Sequence, residues 1–100
     1  MAVYVDDLVP AASYRGRGAV QARRVGARYG HRWCHLFARP ADRAELHAFA
    51  AALGMRREWW QGDHYDLVPP KRALALRRGA LAVSRREAVK IIDRQRRSGV

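Results

Sequence analysis

Two capping boxes and a proline-marked helix start divide this chain into short apolar runs alternating with helices, and that alternation limits the fold more than any other feature. In Pro40-Ala41-Asp42-Arg43-Ala44-Glu45, Asp42 stands as N-cap with Glu45 three positions on. Leu46, Phe49, Ala50 and Leu53 follow at helical spacing, and Gly54 sits where a helix takes a left-handed terminator. Ser84-Arg85-Arg86-Glu87 is a second box, opening a helix whose Ala88, Val89 and Ile92 face inward until Ser98-Gly99. Between them Pro70 fits a first helical position, Ala73, Leu74 and Leu76 give an apolar side, and Gly79 ends a helix over residues 70–78.

The intervening runs read as strands. Residues 2–7 carry Val3, Tyr4 and Val5 and end in Asp6 and Asp7; residues 55–61, with Trp59 and Trp60 bounded by Gly54 and Gly62, form a second core strand; residues 80–83 form a third. Residues 31–38 are too aromatic for a free loop and too short for a helix, so they form an extended segment able to add an edge strand. The expected fold is a single α/β domain over residues 1–100, with a small three- to four-stranded, mainly parallel sheet flanked by three helices.

A chain of 100 residues with 49% hydrophobic and 29% charged residues is globular, and its lone Cys34 excludes an internal disulfide. No signal peptide or membrane span is expected, which points to a soluble cytoplasmic protein with no membrane partner. The formal charge of +11 favours an anionic partner: nucleic acid, a nucleotide or a phosphate ester. Nearly all of it is arginine, with lysine only at Lys71 and Lys90, so genome composition competes as its origin. Residues 10–30 form a long basic connection carrying Arg15, Arg17, Arg23, Arg24 and Arg28 without an acid, with room for a short helical turn near residues 20–25.

In open α/β sheets, ligands bind beyond the carboxyl ends of strands, at helix N-termini. That edge would collect Asp6 and Asp7, then Asp63, His64, Tyr65, Asp66, Lys71 and Arg72, then Ser84, Arg85 and Arg86. Cations in a first helical turn oppose the helix dipole, a cost a bound anion reverses, and this marks Lys71 and Arg72 as phosphate holders. Asp6, Asp7, His64 and Asp66, with His35 as a further candidate, are ligand types for Mg²⁺, Mn²⁺ or Zn²⁺. The same groups suit metal-free acid/base work, with His64 poised near neutrality and Asp66 or Asp7 orienting it. A turn or helix cap is the plain alternative for adjacent acids after a strand. His47, beside the buried helix stripe, reads as a boundary residue, and Trp33, Trp59 and Trp60 read as core.

With Val3-Tyr4-Val5-Asp6-Asp7, Gly30-His31-Arg32-Trp33-Cys34-His35-Leu36, Glu45-Leu46-His47-Ala48-Phe49-Ala50 and His64-Tyr65-Asp66-Leu67 followed by Lys71-Arg72, the chain resembles the bacterial and phage family catalogued as domain of unknown function 4031. The likeness covers nearly the whole chain apart from the basic connection and the last helix. It implies Asp6, Asp7, Trp33, His35, His64, Tyr65, Asp66, Lys71 and Arg72 as motif positions, and it brings no activity. Cys34 stands where that pattern has Ser, which argues against thiol chemistry, and Val68 stands where Thr is common, which removes a helix cap.

These readings converge on a domain that binds a phosphate-bearing ligand, a nucleotide or nucleic-acid phosphoester, at the carboxyl edge of its sheet. Lys71 and Arg72 would hold phosphate, His35 and Tyr65 would orient it, and Asp6, Asp7, His64 and Asp66 would bind a divalent cation. If catalytic, with His64, Asp66 and Asp7 as reacting groups, metal-assisted phosphoester hydrolysis fits best. The alternative is a non-catalytic basic module that binds nucleic acid or a protein partner.

Overall fold

Strand β1 (Val3–Val5) and the two-residue β2 (Val9–Pro10) both pair antiparallel with β3 (Arg32–Ala38), which is the centre of the sheet. The computed structural model describes residues 2–10, 27–30 and 32–98. A 3₁₀ turn (Pro40–Asp42) leads into α1 (Arg43–Ala52), and a second (Arg57–Trp59) precedes β4 (Tyr65–Leu67). Helix α2 (Pro69–Arg77), β5 (Leu81–Ala82) and α3 (Arg85–Ser98) complete the order. β4 lies antiparallel along the other side of β3, and β5 joins β1 in parallel.

The fold is α/β, but the sheet is mixed and mostly antiparallel, with one parallel pair where a mainly parallel sheet was expected. Two segments account for the difference. Residues 31–38 supply the central strand rather than an edge. Residues 55–61 supply no strand: Arg56, Arg57 and Glu58 break the alternation that a strand needs, and the chain coils into the 3₁₀ turn with Trp59 46% exposed. Gly54 and Gly62, at φ of 84° and 92°, reverse the chain on either side of this turn, so that it re-enters antiparallel to β3 as Tyr65–Leu67. The basic connection expected over residues 10–30 lies outside the described residues, except for Pro10 and residues 27–30.

The helix boundary signals are met with one exception, but two side chains expected to face inward do not: Val89 of α3 is 50% exposed, and Ala73 of α2 is exposed with Ala75 buried in its place. Ser84 Oγ accepts the Glu87 N–H at 3.1 Å, as a capping box requires. Asp42 makes no such bond, because the 3₁₀ turn occupies its place, and its Oδ2 accepts the Ala2 N–H at 3.4 Å instead. Among the described residues no helix is long and apolar enough to cross a membrane.

Strand alternation sorts the side chains onto two faces. Val3, Val5, Cys34, Leu36, Ala38, Tyr65 and Leu67 face Leu46 and Ala50 of α1, Leu53 just beyond it, and Ala75 of α2, forming the larger core. Tyr4 and Phe37, stacked at 5.6 Å, take the other face with Ala88 and Ile92 of α3. By the same alternation His35 and Asp66, paired across β3 and β4, belong to this second face.

Leu36 is fully buried at the middle of the sheet. Replacing it with Ala removes packing on both strand neighbours, and Leu36→Ala is expected to lower unfolding free energy by about 2–5 kcal/mol in urea titrations followed by circular dichroism. Cys34 is also enclosed: burial, then the Asp6 charge, pushes its thiol up to about 12, against a smaller opposing pull from Arg72. Its reaction with a chromogenic disulfide reagent at about pH 8.5, where an ordinary thiol is half ionised, is expected to proceed only as fast as the protein unfolds and to reach completion in denaturant.

Candidate metal centre

The second sheet face carries a group of three side chains that β3, β4 and the turn before β4 bring together. His35, His64 and Asp66 each offer one ligand atom, and those atoms lie within 4.8 Å of one another. His35 and Asp66 are directly opposed across the β3–β4 ladder, and Asp66 lies two residues beyond His64, which returns both to the same side. The two imidazoles meet edge to face with centroids 4.5 Å apart. His64 Nε2 stands 3.3 Å from Asp66 Oδ1. All three side chains are partly exposed, so the group is reachable from solvent.

Each imidazole is held from behind. Between Val5 and Val9 the chain takes four steps while β3 takes three, from Leu36 to Trp33, so one extra residue bulges out of the ladder. The bulge aims the Asp6 carboxylate along β3. Its Oδ1 accepts the His35 main-chain N–H, and its Oδ2 is hydrogen-bonded to the ring Nδ1, both at 2.6 Å. Asp63, next to Gly62 in the turn, stands behind the second ring, with Oδ1 2.5 Å from His64 Nδ1. Asp66 is steadied in turn by Gln61, whose Nε2 donates to Oδ2 at 2.9 Å. Burial pulls the His64 pKa down, but the hydrogen bonds and charges of Asp66 and then Asp63 outweigh it and raise the imidazole above its ordinary value.

Of the expected site residues, His35, His64 and Asp66 come together, and Asp6 stands one hydrogen bond behind His35. Asp7 is exposed and outside the group. Tyr65 points the opposite way, as its place between His64 and Asp66 on a strand dictates. Its hydroxyl is hydrogen-bonded to His47 Nδ1 at 2.8 Å, and Trp60 packs against both rings. Lys71 reaches the end of α1, where its Nζ donates to the Leu53 carbonyl; a cation there complements the negative helix terminus. That contact supplies a local reason for lysine in the first turn of α2. Arg72 Nε donates to the Asp6 main-chain carbonyl at 2.9 Å, and its charge also acts on the Cys34 thiol on the core face. Arg85 and Arg86 are exposed at the start of α3.

Asp63 and Gln61 are the partners that residue patterns alone did not assign. The adjacent Asp63-His64 pair was the available signal, but reading it required knowing that a tight turn folds the carboxylate back onto its neighbour.

This donor set, two imidazoles and one carboxylate with carboxylates on the far nitrogens, matches the composition of sites that hold first-row divalent cations. No curated protein and no solved structure matches the chain. The family model described as "Protein of unknown function (DUF4031)" matches residues 3–95, a span that contains every residue of this centre, and the chain belongs to that family.

Proposed function

We propose that the protein is a divalent-metal-dependent domain acting on phosphate-bearing ligands, nucleotides or nucleic-acid phosphoesters, with metal-assisted phosphoester hydrolysis as its reaction class. The observation that carries this reading is the convergence of His35, His64 and Asp66 on a solvent-reachable sheet face. A divalent cation held there supplies positive charge to a phosphoryl oxygen. His35, His64 and Asp66 would hold that cation, and Arg72, bonded to the Asp6 carbonyl, is the arginine assigned to a phosphate oxygen. The net charge of +11 draws polyanions to the surface and supports nucleic acid among the ligands.

A second reading, a non-catalytic nucleic-acid-binding module, is favoured by the exposed Arg85, Arg86 and Lys90 on α3. It predicts affinity for oligonucleotides that falls steeply with salt and is unchanged in His64→Ala.

The metal reading is tested by thermal melting and by turnover of a bis-nitrophenyl phosphate diester with Mn²⁺ or Zn²⁺. At a cation concentration ~100 times Kd, the melting temperature is expected to rise by about 10 °C or more. His64→Ala and Asp66→Ala should abolish the rise and reduce turnover by more than the roughly 10- to 100-fold typical of outer-shell changes, with circular dichroism unchanged. Absence of any melting shift across a panel of divalent metals and nucleotides overturns the reading.

A further inference from the structure

Asp6 and Asp63, 1% and 5% exposed, are the buried charged residues among the described ones, and both send their carboxylates to the same place. Each engages the Nδ1 atom of one of the two imidazoles in the cluster. Burying a carboxylate is unfavourable unless it is hydrogen-bonded, and apolar replacements often stabilise a fold as well or better. Stability alone therefore gives no reason for two such residues behind two neighbouring rings. Their chemistry does: an ionised carboxylate only accepts, so each ring must carry its hydrogen on Nδ1, which leaves the Nε2 lone pair for the front of the site.

We propose that Asp6 and Asp63 are positioning residues that fix His35 and His64 with Nε2 as the coordinating atom, and so make the cluster a site for zinc and first-row transition cations in preference to magnesium or calcium. The inference rests on the metal centre of the proposed function and adds its cation class and its supporting residues. Magnesium and calcium take oxygen donors, whereas two of the three donors here are imidazole nitrogens of fixed orientation. The two supports reach the site by different routes. Asp63 is the sequence neighbour of its imidazole, while Asp6 is 29 residues from His35 and is delivered by the β1–β3 bulge.

The test uses the full chain and cobalt and zinc ions alone. Titration with Co²⁺, followed by visible absorption, is expected to show one bound ion that Zn²⁺ displaces and that an equal concentration of Mg²⁺ does not. Asp63→Asn and Asp6→Asn should each weaken binding roughly 10- to 100-fold and alter the cobalt spectrum, an effect that a merely structural role does not produce in a protein of unchanged circular dichroism. Should the Asn variants fail to fold, long-range nitrogen-15 spectra of the metal-free wild-type protein decide the matter: both neutral rings are expected to carry hydrogen on Nδ1. Hydrogen on Nε2, displacement of cobalt by Mg²⁺, or unchanged affinity in folded variants overturns this inference and leaves the metal centre standing. Failure of the wild-type protein to bind cobalt or zinc overturns both.

Discussion

The Asp6 carboxylate is the interaction on which both the sheet and the site depend. At 1% exposure it has no water to turn to, and each of its polar groups is used inside the protein. Its N–H donates to the His35 carbonyl at 3.3 Å, its side chain accepts the His35 main-chain N–H and is hydrogen-bonded to the ring Nδ1, and its carbonyl accepts from Arg72 Nε. Where the bulge interrupts the β1–β3 ladder, the side chain stands in for the lost main-chain acceptor. Strand β1, the central strand and the start of α2 therefore meet on one residue. Removing one partner of a buried polar pair typically costs about 3–5 kcal/mol, much more than an exposed ion pair returns, so this junction has little freedom to rearrange.

What the residues disclosed in advance divides by range. Signals that act within a turn or two were legible: Gly54 adopts φ of 84°, Gly79 adopts 104°, Ser84 caps α3, and the prolines open α2. Signals that depend on a partner far along the chain were not. Trp59 and Trp60 gave residues 55–61 the composition of a strand, but Trp60 packs on His47 and Tyr65 and lies within 6 Å of the Arg43 and Arg57 guanidiniums, a set that no local pattern reveals. The strand lay a few residues later, in the polar motif itself. Strand direction depends on where the chain re-enters the sheet, which is why a parallel arrangement was expected and an antiparallel one is found.

The site follows the same division. His64 and Asp66, two residues apart, share a face as soon as Tyr65–Leu67 is a strand, and the same rule sends Tyr65 to the other side. His35 enters only through the β3–β4 pairing, and Asp6 only through the β1–β3 bulge. The rule for parallel sheets placed function at the carboxyl ends of the strands. In this antiparallel arrangement neighbouring strands end at opposite edges, so side chains converge instead on a face, beside the part of the sheet that α3 covers through Phe37.

This geometry binds the site to strand register more tightly than a loop-built site would be bound. A one-residue slip of β4 against β3 would turn His64 and Asp66 into the core and Tyr65 and Leu67 outward, exchanging polar and apolar faces together. The large buried set around Leu36, Tyr65 and Leu67 therefore holds the imidazoles in place without touching them. The one-residue bulge works in the opposite sense on the other flank. It breaks the alternation after Val5 at a single point, and because the break is paired with the Asp6 to His35 bonds it places a buried carboxylate behind the ring while Val3 and Val5 stay in the core.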